Sequence, residues 1–356
     1  MYQERIKRVL DSMEEMGLDQ MLVSDPDSIW YLTGYDVFPF ERLFAFYLRR
    51  DGHHKLFLNR LFPVPEAPYE QVWSSDTDDA VAILASHVDG KSALGIDKEW
   101  PARFLLPLME RNPDSRYIVA SDCVDHARAC KDEAERELMR AASRINDTVM
   151  ERAAAFLQEG ITEREVADYI ISQYAAEGCD SEAFQTIVSF GPNAADPHHE
   201  PDDTVLKVGD CIVIDMGCKK ARYCSDMTRT VALGHATEEM RKVYDTVLRA
   251  QLAGIAASHA GASGKSIDGA ARDIITEAGY GPYFGHSYGH SLGLEIHEAP
   301  NCTPRNENPI PAGAVCSAEP GIYIPGKFGV RIEDVVIFRE GGCEVITHSP
   351  KELTIL

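Results

Sequence analysis

The stretch CIVIDMGCKKARYCSDMTRT, Cys211 to Thr230, opens as a buried-looking strand and then sets Asp215 where the next apolar residue should stand. Asp226 occupies a similar run eleven residues on. A core strand buries a carboxylate only at a cost, unless something pairs with it. The midpoint of the two aspartates falls inside the polar stretch Cys218-Lys-Lys-Ala221. An antiparallel hairpin turning there predicts the two side chains directly opposite on one face, with Cβ atoms about 4.5–5.5 Å apart.

The pattern then recurs. Glu319 and Glu333 are symmetric about Pro325-Gly-Lys-Phe-Gly329, the strongest turn signal of the C-terminal half, so they too are predicted to oppose each other. Each hairpin closes a similar order of elements. In the first round a helical period through Leu138, Ile145, Val149 and Phe156 stops at Gly160, and Thr162 to Glu165 is a capping box for a second helix. GPNAADPHHEP, from Gly191, leads to the strand of Asp215. In the second round a helix after Thr237 breaks at Gly261 to Gly264, and another runs through Ala270 to Ala278. GHSYGHSLGLEIHEAP, from Gly285, leads to the strand of Glu319. HHEP and IHEAP read as echoes of each other, and the whole predicts one domain with pseudo-two-fold symmetry.

Opposed carboxylates in a half-buried sheet repel and lose hydration. A cation relieves both problems. Two such pairs brought together across a pseudo-two-fold axis make a cage for two divalent metals roughly 3.5–4 Å apart. His290, set between Gly289 and Gly293, clusters with His297, His198 and His199 in the segments leading to the hairpins. Four carboxylates and one imidazole are a hard, oxygen-rich set. That set suits Mn²⁺, Co²⁺ or Zn²⁺ more than a sulfur-rich structural zinc site would.

With 356 residues the chain is long for one hydrophobic core, and two domains are expected. The net charge of −22 argues against a nucleic-acid or anionic-membrane surface. No apolar run approaches a membrane span, and the N-terminus, MYQERIKRVLDSMEEMG, is charged and helical rather than signal-like. Nine cysteines without CxxC spacing suggest a reduced, cytoplasmic protein in which most cysteines are small buried apolar groups. The first part alternates helix and strand signals. Arg5 to Met16 is amphipathic, Gln20 to Val23 is a short strand, and strands at Phe44 to Leu48 and Lys55 to Leu58 flank an Asp51-Gly52 turn. A strand at Ala93 to Asp97 precedes a helix near Phe104 to Met109. No chemical constellation stands out there.

The motifs IDMG…SDMTRT, GHSLGLEIHEAP, AEPGIY and GVRIED together resemble metallopeptidase family M24, which includes methionine aminopeptidase, aminopeptidase P and prolidase. The resemblance covers nearly the whole chain. It implies an α+β architecture: a pita-bread catalytic domain over residues 128–356, preceded by a creatinase/prolidase-like α/β domain over residues 1–127. YLTGY, Tyr31 to Tyr35, is similar to that N-terminal domain, which methionine aminopeptidases lack. The expected activity is therefore hydrolysis of Xaa-Pro bonds in dipeptides or short peptides. Carried across by position, Asp215, Asp226, His290, Glu319 and Glu333 match the family's metal ligands for two divalent ions, Mn²⁺ most expected. Asp226 and Glu333 would bridge them. His198 matches a substrate-binding histidine and His297 one that contacts the scissile carbonyl or departing nitrogen. The resemblance also implies a homodimer. The creatine-hydrolysing branch does not keep the full ligand set, which is filled here.

In the expected mechanism two metals activate a shared water, and the bridging hydroxide attacks the carbonyl. Glu319 takes the water's proton and passes it to the proline nitrogen. His297 and His198 stabilise the tetrahedral intermediate as donors. Arg331, two residues before Glu333 on the same strand face, pairs with a carboxylate of the site or of the substrate, or forms a structural ion pair. Three alternatives stand beside this reading: an Xaa-Pro aminopeptidase acting on longer peptides, a catalytically silent pita-bread binding protein, and a serine hydrolase. The last rests on GHSLG as a nucleophile elbow, with Ser291, Asp334 and His348 in the right order. The segment before that elbow is a poor strand.

Overall fold

Residues 2–65 and 68–356 are described in the computed structural model of the chain. Two units separate by their internal contacts, Met1–Arg128 and Ala129–Leu356. In the first, α1 (Tyr2–Glu15) buries Ile6, Val9 and Met13 along one face, as its period requires. β1 (Gln20–Val23) leads to α2 (Pro26–Thr33), where the Asp25 carboxylate accepts from the Asp27 and Ser28 amides and Gly34 ends the helix in the left-handed region. β2 (Ala45–Arg49) and β3 (Lys55–Asn59) form the hairpin expected around Asp51-Gly52. β4 (Glu70–Ser74), α3 (Ala80–Ala85), β5 (Leu94–Ile96), α4 (Ala102–Arg111), β6 (Tyr117–Val119) and α5 (Asp122–Ala129) complete this α/β unit. Its strands lie in the order β4-β3-β2-β1-β5-β6, with the wholly buried β1 near the centre.

The second unit begins with α6 (Glu133–Phe156) on an Asp132/Glu135 capping box and α7 (Glu163–Ala176) on the expected Thr162/Glu165 box. β7 (Ser181–Glu182), β8 (Ile187–Phe190), β9 (Cys211–Met216), β10 (Cys218–Lys220), β11 (Tyr223–Cys224) and β12 (Met227–Ala232) follow. The second round has α8 (Glu238–Ala257), α9 (Gly264–Glu277), β13 (Gly289–Ser291), β14 (Glu298–Cys302), β15 (Val315–Ala318), β16 (Gly321–Ile324), β17 (Phe328–Arg331) and β18 (Asp334–Arg339). β19 (Gly342–Val345) and β20 (Thr354–Ile355) end the chain.

The two rounds repeat one topology. β8-β9-β12 are antiparallel neighbours in one sheet, and β13-β15-β18 are antiparallel neighbours in another. Val149 and Ile170 pack with Ile212 and Ile214 in the first round; Val247 and Ile267 pack with Cys316 and Val336 in the second. Each helix pair thus buries its apolar face on its own sheet, at about 1.5–3 kcal/mol for each large aliphatic side chain. The expected pseudo-two-fold arrangement is present.

The second acidic hairpin has the predicted register. Gly321 pairs with Arg331 and Ala318 with Asp334, so Glu319 stands opposite Glu333 where one ladder gives way to the next. The first differs by one residue. Asp215 pairs with Thr228, and Lys220 pairs with Tyr223, which puts the reversal at Ala221-Arg222. Both have positive φ, 47° and 72°, as a type I′ turn demands. The turn carries neither Gly nor Asn, so nothing in its composition marked its centre. Asp226 accordingly falls opposite Gly217 and lies diagonal to Asp215 on the same face, not directly across from it. A Cβ on Gly217 would meet the Ser225 carbonyl oxygen at 2.2 Å, so the close approach there admits only glycine.

The two rounds are stitched along β12. The Glu333 amide donates to Thr228 O at 3.1 Å, and the Arg331 amide donates to Thr230 Oγ1 at 3.1 Å. Six of the nine cysteines are buried, as small apolar groups would be. Among the described residues no helix is long and apolar enough to cross a membrane.

Candidate metal centre

The two hairpins deliver their carboxylates to one cleft of about 610 Å³, lined by Asp215, Asp226, Glu319 and Glu333 together with His290. Ligand atoms of Asp226, His290 and Glu333 all lie within 4.8 Å of one another. His290 Nε2 is 3.2 Å from Glu319 Oε1 and 3.6 Å from Asp226 Oδ2. Its Nδ1 sits 3.2 Å from Ser291 O, which accepts the Nδ1 proton and turns Nε2 toward the carboxylates. The glycine beside it is needed for close approach: a Cβ on Gly289 would meet Ser317 O at 2.1 Å. Ser317 Oγ accepts from the His290 amide at 3.0 Å and donates to Glu319 at 3.1 Å.

The electrostatics are those of a crowded acid cluster. Burial pushes Asp226 and Glu333 well above the usual carboxylate range, reinforced by Asp215 beside the first and Asp226 beside the second. Asp215 is raised by burial, against the opposing pull of Arg331. Glu319 goes the other way: burial would raise it, but its contact with His290 holds it down at about 2. Burial would lower His290, and Glu319 with Asp226 overrule it and lift the imidazole to about 9.

Two buried oxygens, Asp215 Oδ1 and Glu333 Oε1, have no hydrogen-bond partner. An orphaned carboxylate oxygen facing other carboxylates is a defect in a protein without a cation and a ligand in a protein with one. The donor set fits a hard divalent ion.

Arg331 is buried, and its guanidinium is engaged on several sides. Nη2 donates to Asp215 at 2.6 Å, Nε to Thr228 Oγ1 at 3.0 Å, and Nη1 to Tyr323 Oη at 2.8 Å and Pro197 O at 3.2 Å. Thr228 Oγ1 donates in turn to Glu333 at 2.7 Å. The ion pair that Arg331 forms is with Asp215. His198 and His297 are exposed on the cleft wall. The His297 ring stands edge-on to His290, with centroids 4.3 Å apart, and burial together with the His290 charge lowers its pKa. His199 instead gives Nε2 to Glu163 at 2.7 Å.

Sequence reasoning missed His286 and Tyr323. His286 Nε2 is 2.9 Å from Tyr323 Oη, and burial lowers its pKa. Gly321 leaves room for that hydroxyl, since a Cβ there would lie 2.4 Å from it. The GIY spacing held this signal. The elbow residues do not assemble: Ser291 is fully buried and donates to Val315 O at 2.7 Å, while Asp334 pairs with Arg229 at 2.8 Å.

Residues 137–340, more than half the chain, match the family model of metallopeptidase family M24. The chain belongs to metallopeptidase family M24. Residues 5–130 match "Creatinase/Prolidase N-terminal domain", so this M24 member carries the creatinase-type α/β domain before its pita-bread domain. An uncharacterised peptidase of Staphylococcus aureus is 35% identical over 98% of this chain and 99% of its own length. A prolidase structure from Thermococcus sibiricus is similar at TM-score 0.95 and 34% identity, covering 100% of this chain and 99% of that one. An Xaa-Pro dipeptidase from Bacillus anthracis is similar at TM-score 0.91 and 33% identity, with both chains covered fully. The M24 member described here is thus a metallopeptidase of the prolidase group.

Proposed function

We propose that the chain hydrolyses Xaa-Pro bonds in dipeptides or short peptides with two divalent cations, Mn²⁺ the best match, held by Asp215, Asp226, His290, Glu319 and Glu333. The observation that carries this reading is the pair of orphaned buried oxygens, Asp215 Oδ1 and Glu333 Oε1, in a cleft where four carboxylates meet one imidazole. The prolidase and Xaa-Pro dipeptidase named above support the substrate class. When bound, such a metal pair would acidify a water and polarise the scissile carbonyl.

The chain's own groups do the rest. Glu319, with its carboxylate held ionised beside His290, accepts a proton and returns it to the departing proline nitrogen. His297 and His198, facing the cleft from two loops, donate to the developing oxyanion. Arg331 fixes Asp215 from behind, and the bond to Pro197 O ties the His198 loop to the same guanidinium. In the same reading the protein works in the cytoplasm as a homodimer, with residues 1–127 as its accessory domain.

One observation favours longer peptides as a second reading. Among the described residues lining the cleft, Arg331 is the one arginine or lysine, and it is already engaged by Asp215, Thr228, Tyr323 and Pro197 O. A dipeptide's terminal carboxylate meets no unengaged arginine or lysine among those residues; a continuing peptide bond needs none.

Comparing chelated and Mn²⁺-supplemented protein on Ala-Pro, Ala-Pro-Ala and a longer Xaa-Pro peptide tests both readings. Metal-dependent cleavage is expected, and kcat/KM ranks the lengths. No cleavage of any peptide leaves the silent binding protein standing.

A further inference from the structure

Glu163 is fully buried, far in sequence from the acidic hairpins, and has no part in the chemistry above. It sits in the first turn of α7, yet its carboxylate faces away from solvent and takes four donors. Oε1 accepts from the Phe190 amide at 2.7 Å and from Asn193 Nδ2 at 3.0 Å. Oε2 accepts from His199 Nε2 at 2.7 Å and the Asp202 amide at 3.1 Å. Glu163, His199 and Asp202 are close enough to suggest a cation site, but four donors already use the carboxylate.

These donors come from both ends of one loop. Phe190 closes β8, Asp202 lies twelve residues later, and a single carboxylate draws the two together like the neck of an Ω-loop. The backbone adds a second tie, with the Glu163 amide donating to Thr204 O at 3.2 Å and the Arg164 amide to Asp202 O at 3.1 Å. The loop's far end reaches the cleft. Pro197 O accepts from Arg331, His198 lines the wall, and Ala194 O packs so tightly on β17 that a Cβ on Gly329 would lie 1.9 Å from it.

From this arrangement we propose that Glu163 is a positioning residue: its buried carboxylate clamps the loop of residues 190–202 and so holds His198 at the substrate. The inference rests on the role given to His198 above. Charge-assisted bonds from two backbone amides and two side chains make the clamp stiff, and the pair on one oxygen is lost when that oxygen becomes an amide nitrogen. Glu163→Gln keeps the shape but turns an amide NH₂ toward existing donors, which leaves a buried donor unsatisfied. Misplacing a binding group by about 1 Å is enough to lower kcat/KM by as much as 10²-fold.

The test uses the full-length Mn²⁺ protein with E163Q, H198A and the double variant. E163Q is expected to lower kcat/KM on an Xaa-Pro peptide by about tenfold, mainly through KM, while the Mn²⁺-induced rise in melting temperature stays at the wild-type value. The double variant is expected to be no worse than H198A alone, because both substitutions disable one device. Additive losses, or E163Q at wild-type kcat/KM, overturn the proposal. So does H198A at the wild-type value, which traces the failure to the His198 role. Hydrogen exchange supplies a readout independent of peptide cleavage: amides of residues 190–202 exchange faster in E163Q, and unchanged exchange there overturns the clamp even if no peptide is cut.

Discussion

Replacing Asp226 with Asn should stabilise the metal-free protein and destabilise the metal-loaded one relative to wild type. Ligand atoms of Asp226 and Glu333 lie within 4.8 Å of each other. At that separation and an effective dielectric of about 20, two full charges repel by about 3 kcal/mol. The folded protein avoids part of this by holding protons, since burial and the neighbouring carboxylates raise both groups. The sign follows from linkage. A carboxyl raised on folding binds its proton more tightly in the native state, so apo stability is greatest below the unfolded pKa and falls as pH rises through the folded one. Asn removes that loss, and its advantage grows with pH. At pH 8 a gain of about 1–3 kcal/mol is expected, or roughly 2–12 °C for a unit of this size. With Mn²⁺ at a hundredfold its Kd the wild type gains about 2.7 kcal/mol, which is roughly 5–11 °C. The variant, short of one ligand, should shift by less than about 2 °C. Thermal melts with chelator and with Mn²⁺, followed by hydrogen exchange on peptides from β9 and β12, give all four midpoints. A variant that melts below wild type in chelator, or that keeps the full Mn²⁺ shift, refutes the cage.

Glu319→Gln should lower kcat by about 10²–10⁴-fold with an unchanged far-UV spectrum; near wild-type turnover in Mn²⁺ would remove Glu319 from proton transfer. Gly289→Ala forces a Cβ to within 2.1 Å of Ser317 O, whereas Gly285→Ala meets nothing within 4 Å. The first should cost about 1–3 kcal/mol and weaken the Mn²⁺ shift, and the second should do neither, as paired melts will show. His54 packs against the touching rings of Phe46 and Tyr69, accepts the Arg49 amide on Nδ1, and has its pKa lowered by burial. Its neutral form stabilises the first unit above the unfolded histidine pKa of about 6.5, and that contribution is lost as pH falls through the lower folded value. Protection of the β2–β3 amides, corrected for intrinsic exchange, should drop between about pH 7 and 5 in wild type and stay flat in His54→Leu.

Much of the site was legible because its geometry is carried by local pairing. The Glu319–Glu333 register follows from a turn marked by Pro325 and Gly326, and the helix starts at Thr162 and Thr237 announce themselves by their caps. The first hairpin was displaced by one residue because Ala221 and Arg222 adopt positive φ without the residues that usually signal it. Asp180 compensates by accepting the Arg222 amide at 2.8 Å, a contact from outside the hairpin that no local pattern contains. Glu163 was hidden for a related reason. It reads as an ordinary first-turn acid, and only the return of residues 190–202 reveals it as buried. α2 and β4 in the first unit also passed unread. The short strand β4 is held by parallel pairing with β3, so its stability comes from a partner rather than from its own alternation.

Along β12, Thr228 and Thr230 turn their hydroxyls to Glu333 and Arg331 on the cleft side, while the alternate residue Arg229 donates to Pro350 O, Ser349 O, Glu333 O and the Asp334 carboxylate. A slip of one position would exchange these faces. The guanidinium would then be set toward the acidic cleft, on the side where a cation is expected. The register of β12 therefore does two jobs at once, since it keeps one guanidinium on the C-terminal carbonyls and leaves the carboxylates of the cleft for a cation.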